Sequence, residues 1–218
     1  MFIELVDALR CPRAHEESWL VLAMSRIEAR HIQEGTLGCP VCHAEYPITE
    51  GIVDLRLDDG EGARAPTRDT RQAPGLVDQV PAEHLAAMLN LADALGFVVL
   101  AGEWGRHANV LLELDPLPPL LLVDPPDDVA MRPGLSGVRA GARLPLAVGA
   151  ARAAAVDDVD AVRLASAAQS TRAGGRMVAP GQALVPDGVR ELARNEHVWV
   201  GEREAASSAP VRLHVRRG

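Results

Sequence analysis

Apolar positions follow two regimes along this chain. From residue 97 onward, apolar runs at 97–101 (Phe-Val-Val-Leu-Ala) and 120–124 (Leu-Leu-Leu-Val, ending in Asp) and shorter apolar clusters within 136–139, 160–164 and 175–179 alternate with mixed stretches. Runs of that length, bounded by Gly, Pro or charge, predict strands buried on both faces, as in a parallel sheet. Ahead of them Pro81, Ala82 and Glu83 open a helix predicted to run to Leu95, with Leu85, Met88, Leu89, Ala92 and Leu95 on one face and Gly96 as its stop. A second helix is expected over 106–114, a helical or irregular turn after 165, and a closing hairpin of 197–201 against 211–215. Residues 140–158 are nearly all Ala, Gly, Arg and Leu, too short for a full crossover, so the sheet is expected to be shortened.

Residues before 58 pattern differently, with a short helix or turn at 3–9, a strand at 19–24 and two Cys-Pro turns. Residues 58–75 carry Gly, Pro and charge without apolar periodicity, the mark of a linker or surface loop. The expected organisation is a small domain over 1–58, a linker over 59–80 and an α/β domain over 81–218. The expected fold class is α/β: a shortened, Rossmann-like, doubly wound sheet preceded by a small domain carrying the two Cys-Pro turns.

The stretch 97–124 has the order of a nucleotide-binding unit: strand, glycine turn, helical segment, then a strand ending in a carboxylate. In such a unit the glycines admit a ligand to the backbone, and the acid about 20 residues on bonds ribose hydroxyls. Gly102 and Gly105 are the turn glycines and Asp124 the acid, so Gly102, Glu103, Trp104, Gly105 and Asp124 are the candidate cofactor residues. Glu103 and Trp104 are bulky where such a loop wants hydrogen or a small side chain.

Composition narrows the options. A chain of 218 residues with 48% hydrophobic and 24% charged residues can build a packed core. Aromatics are only 3%, which leaves little for stacking on bases. The net charge of −8, with 11 acids against 5 arginines among residues 1–60, argues against a phosphate track and disfavours a nucleic-acid-binding zinc module. The chain has no lysine, which excludes Schiff-base chemistry. Acids interrupt the N-terminal apolar stretch, and no apolar run reaches membrane-spanning length, so a cytoplasmic protein is expected.

Cysteine usage points to metal. Cys39-Pro40-Val41-Cys42 is a regular knuckle, whereas Cys11-Pro12-Arg13-Ala14-His15 carries Ala14 where its second cysteine belongs. Zinc takes four soft or borderline ligands on a tetrahedron, so Cys11, His15, Cys39 and Cys42 are expected to form a closed, structural Cys3His site. His43 is an alternative to His15. Loss of metal with a buried Cys11, or a redox role for Cys39 and Cys42, are the competing readings.

The two knuckles followed by Tyr46-Pro47-Ile48-Thr49-Glu50-Gly51-Ile52-Val53-Asp54-Leu55 resemble the Trm112-like zinc ribbons over roughly residues 2–57. These are small proteins paired with or fused to S-adenosylmethionine-dependent methyltransferases. Residues 83–218 resemble a class I methyltransferase of that kind, through the 100–106 loop, Asp124, Arg143-Leu144-Pro145-Leu146, Asp160-Ala161-Val162 and the 172–178 stretch. The resemblance implies that the loop and Asp124 would hold the methionine and ribose of S-adenosylmethionine, with the Leu-Pro stretch flanking adenine. The departures fall on that ligand. Ala101 stands where the family has an acid, Trp104 takes the second glycine position, and 165–170 lacks an acid, histidine or aromatic to orient a methyl acceptor.

Two functions of different class follow as expectations. One is a non-catalytic methyltransferase-like protein, with no catalytic residues, acting as a binding or assembly subunit with a protein partner or a second copy of itself. The other is an active S-adenosylmethionine-dependent methyltransferase of unknown acceptor. His107, His84, His197 and His214 read as surface residues.

Overall fold

The computed structural model describes residues 1–57 and 75–205. A 3₁₀ turn over Ile3–Ala8 leads into a four-strand meander: β1 (Val21–Glu28), β2 (His31–Gly38), β3 (Glu45–Thr49) and β4 (Ile52–Asp54). The second part carries α1 (Leu76–Gln79), α2 (Ala82–Met88), β5 (Val98–Ala101), a 3₁₀ turn over Gly102–His107, α3 (Ala108–Leu111), β6 (Leu120–Val123), β7 (Leu135–Arg139) and β8 (Ala153–Ala155). It continues with α4 (Ala161–Ser170), β9 (Arg176–Pro180), β10 (Val189–Arg194) and β11 (Val198–Arg203). The expected linker core at 58–74 and the strand at 211–215 lie outside the described residues.

The eleven strands among the described residues join one sheet in the order β1-β2-β3-β4-β7-β6-β5-β8-β9-β11-β10. Strands β7, β6, β5, β8 and β9 run parallel, and β11 inserts antiparallel between β9 and β10. The order reverses between β5 and β8, and in an open α/β sheet the crevice beyond the carboxyl ends of those strands is where ligands bind.

The N-terminal meander is built into this sheet. Strand β4 runs parallel to β7, with Ile52 against Gly137 and Val53 against Val138. Backbone bonds from Leu55 N–H to Arg139 O (2.8 Å) and Gly137 N–H to Gly51 O (3.2 Å) extend the seam. A bridge of Leu9 to Leu146, with Arg10 N–H donating to Pro145 O and Ala147 N–H to Ala8 O, ties the segment before Cys11 to the Leu-Pro stretch. Gly137 is needed at the seam, since a Cβ there would lie 2.7 Å from Ile52 Cγ1. Gly137→Ala is expected to cost about 1–3 kcal/mol through overpacking. Urea midpoints check it, and trimming the neighbour in Gly137→Ala/Ile52→Ala should recover part of that loss.

Two cores lie on the two faces of the sheet. One joins the meander to α4, through Leu37, Tyr46, Val53, Val123, Val138, Leu164 and Trp199. The other gathers Leu76, Leu85, Leu89, Trp104, Leu111 and Leu122 beneath α1, α2 and α3. Alternation carries β8 into both, with Ala154 on the first face and Ala153 and Ala155 on the second, all fully buried.

Several elements differ from the sequence reading. The fourth parallel strand is Ala153–Ala155, and residues 160–164 open α4 instead. Alanine is a weak strand former, so the buried run at 153–155 gave no strand signal. Asp160 caps α4, its carboxylate accepting from Val162 N–H (2.9 Å) and Arg163 N–H (3.1 Å), which is why helix and not strand follows. The helix expected over 81–95 stops at Met88, leaving Leu95 exposed, and the one over 106–114 contracts to α3 behind a 3₁₀ turn. Strand β11 is flanked on both sides, by β9 and β10, and residues 211–215, the other half of the expected hairpin, lie outside the described residues.

Candidate functional site

Two sets of residues converge, one in the meander and one at the reversal of the sheet. Cys11 follows the bridge between Arg10 and Trp19, and Cys39 follows directly on β2. The chain then folds back on itself: Cys39 N–H donates to Ala44 O and His43 N–H to Cys39 O, both 2.9 Å, which brings Cys42 under Cys39. Ligand atoms of Cys11, His15, Cys39 and Cys42 all lie within 4.8 Å of one another, so the four could hold a metal ion.

The geometry fits zinc. Bonds of about 2.3 Å to sulfur and about 2.0–2.1 Å to nitrogen put tetrahedral ligand atoms about 3.5–3.8 Å apart. Cys11 Sγ and Cys42 Sγ stand 3.7 Å apart, and Cys39 Sγ and His15 Nε2 3.4 Å. His15 Nδ1 lies 2.6 Å from Glu16 O, and donation there leaves the Nε2 lone pair facing Cys39, the tautomer a ligand requires. Burial pushes the Cys39 thiol up, but the amides of Cys42 and Val41 and the neighbouring thiols outweigh it and hold it down at about 6. Burial dominates at Cys11 and raises its pKa. Tyr46 Oη sits 3.2 Å from Cys11 Sγ, a contact outside the ligand set that orients the sulfur. His43 is exposed at a positive φ of 57° and takes no part in the cluster.

At the sheet reversal, β5 runs into Gly102 and β8 into Val156-Asp157-Asp158. Gly102 has φ +62°, and a Cβ there would overlap the Asp157 carboxylate. Asp157, 4% exposed, accepts from Glu103 N–H at 2.8 Å. Its burial, with neighbouring Asp158 adding repulsion and Arg163 and the Glu103 amide opposing, pushes the carboxyl up to about 6. Asp124, at φ +49°, directs Oδ1 to Ala140 N–H (2.8 Å) and Oδ2 to Arg163 Nη2 (2.7 Å), and Arg163 also donates to Gly141 O (2.7 Å).

Trp104 is fully buried in the core beneath α1 and α2, its Nε1–H without a partner among the described residues. His107 lies beside it with ring centroids 5.9 Å apart, its Nε2 2.8 Å from Val80 O. It is half-buried and not the surface residue the sequence suggests, and burial lowers its pKa. Glu103 pairs with Arg106, which also reaches Asp128. Gly105 packs against Pro125 and Pro126.

The residues at this reversal do not fit S-adenosylmethionine, because the groups that would receive it are engaged within the chain. The loop amide is taken by Asp157, Asp124 by Arg163 and Ala140, and Trp104 by the core. A strand expected at 160–164 places the crevice past Asp157 and Arg163, so the sequence reading misses both. The signal that could have located them is Asp160 as a helix cap, which makes 153–157 the strand and its end.

The Asp157 shift fixes a pH dependence. Its carboxyl titrates near 6 in the folded protein against about 3.9 unfolded. The folded state therefore holds the extra proton between those values, and the residue's contribution falls as pH rises from about 4 to about 6. Asp157→Asn keeps an acceptor for Glu103 N–H and carries no charge. The variant is expected to be more stable than the parent by about 1–3 kcal/mol at pH 7–8 and to converge on it near pH 4. Urea unfolding of both across that range checks it, and a constant difference would contradict it.

No family model matches the chain, and no curated protein matches it in sequence. Among solved structures, one described as "Crystal structure of the antibiotic-resistance methyltransferase Kmr" aligns over 58% of this chain and 94% of its own, at 15% identity and a TM-score of 0.39. At that TM-score the overlap reaches neither family nor activity.

Proposed function

We propose that the chain is a non-catalytic, methyltransferase-like protein that serves as a binding or assembly subunit and carries a structural zinc in its N-terminal ribbon. The observation that carries this reading is the engagement of the cofactor loop by the protein itself, with Trp104 spent as core and the Glu103 amide and Asp124 bonded to other parts of the chain. A crevice stabilised in that way loses those bonds when a ligand enters, and the ligand must replace them before it gains affinity.

A protein partner, or a second copy, is the proposed occupant of the ribbon. Among the described residues strand β1 is an edge of the sheet, and Trp19, Val21, Met24 and Ile27 are exposed on or beside it. Unpaired strand edges with apolar exposure are templates for pairing with another chain.

One observation favours a second reading, an active methyltransferase: Asp157 is a carboxyl of raised pKa at the sheet reversal, the kind of group that can act as a general base. Calorimetry of the purified chain with S-adenosylmethionine separates the two. No heat of binding at millimolar ligand is expected, whereas low-micromolar binding would support the enzyme.

A further inference from the structure

Two polar contacts cross the sheet reversal, and both come from the segment that follows β8. Asp157 leaves the end of that strand and bonds the loop amide of Glu103. Arg163, in the first turn of α4 and only 8% exposed, reaches the strand-end acid Asp124. In a ligand-binding unit of this topology the loop amides meet an anionic group of the ligand and the strand-end acid meets its ribose hydroxyls. The chain supplies a carboxylate in the first place and a donor in the second, so each contact has the polarity that a bound ligand carrying both an anionic group and a ribose would provide. Gly102 points the same way, because its missing side chain makes room for the Asp157 carboxylate.

We infer that Asp157 and Arg163 are an internal substitute for the nucleoside ligand, holding the glycine loop and Asp124 in their bound-like arrangement so that the domain completes its fold without a cofactor. The inference rests on the non-catalytic reading and adds the two residues responsible. The Asp157 carboxylate serves the loop, and the Arg163 guanidinium neutralises Asp124, whose other oxygen accepts from Ala140 N–H. Both are positioning residues.

Amide hydrogen exchange at Glu103 and Ala140 in the full chain tests it, with S-adenosylhomocysteine titrated into the parent protein as a control. In Asp157→Leu the Glu103 amide is expected to exchange at least tenfold faster, while Asp157→Asn, which still offers an acceptor, stays near the parent. In Arg163→Met the Ala140 amide is expected to exchange at least tenfold faster, because Asp124 is released to swing away. Should Asp157→Leu fail to fold, Asp157→Ser and Arg163→Met give the same reading. Unchanged exchange at both amides in folded variants would overturn the internal substitute and leave the non-catalytic reading standing. Micromolar binding of S-adenosylhomocysteine to the parent would overturn both.

Discussion

Cys39→Ser is expected to cut bound zinc from about one equivalent per chain to less than half an equivalent and to loosen the knuckle turns and β1 around it. A structural zinc site contributes its binding free energy directly to folding, about 10–16 kcal/mol in isolated zinc-binding peptides at neutral pH. The knuckle turns and β1 depend on it most, because β1 is exposed along nearly its whole length, whereas β2–β4 also bury Ile32, Leu37, Tyr46, Ile48 and Val53 in the shared core. The effect should stop short of global unfolding, since β5–β11 bury their own core beneath α1 and α2. Metal analysis with amide exchange over β1–β3 checks both parts. His15→Ala is expected to weaken the site in the same direction, and His43→Ala to leave it unchanged, because His43 lies outside the cluster. Less than half an equivalent of zinc in the parent protein would contradict the site altogether.

Trp104→Ala carries the second large effect, a loss of about 3–5 kcal/mol, the usual cost of truncating a buried aromatic. That is a large share of a stability that lies at about 5–15 kcal/mol for most domains. The indole is fully buried among Leu76, Leu85 and Leu111, so its removal leaves a cavity that helices held on both sides can fill only in part. Trp104→Phe should cost far less, about 1 kcal/mol or below, because it keeps most of the volume and removes an N–H that has no partner among the described residues. Urea unfolding of the two variants checks the pair. A loss under about 1 kcal/mol for Trp104→Ala would mean that the indole covers a ligand site and not the core.

The parallel strands were legible where the side chains are large. Leu120–Val123 and Val98–Ala101 announce themselves as unbroken apolar runs because they are buried on both faces. Ala153–Ala155 is buried as deeply, yet alanine carries no strand preference, and the sheet's fourth strand was misplaced by several residues for that reason. That single slip hid Asp157 and Arg163, whose roles depend entirely on where β8 ends. The ligand spacing of Cys11, His15, Cys39 and Cys42 was readable, because knuckle turns are local and the thiols follow from the turn. The parallel pairing of β4 with β7 was not, since it joins residues some 85 positions apart and no local pattern encodes it.

Thermal unfolding of the full chain with and without 1 mM S-adenosylhomocysteine, about a hundredfold above a dissociation constant of 10 μM, tests the closed crevice most directly. A ligand that binds only the folded state at that excess adds about 2.7 kcal/mol of stability, a rise of several degrees for a chain of this size. The engaged loop, Asp124 and Trp104 predict no shift; a rise of several degrees would mean that the crevice opens to its cofactor and that the protein's own side chains do not occupy it.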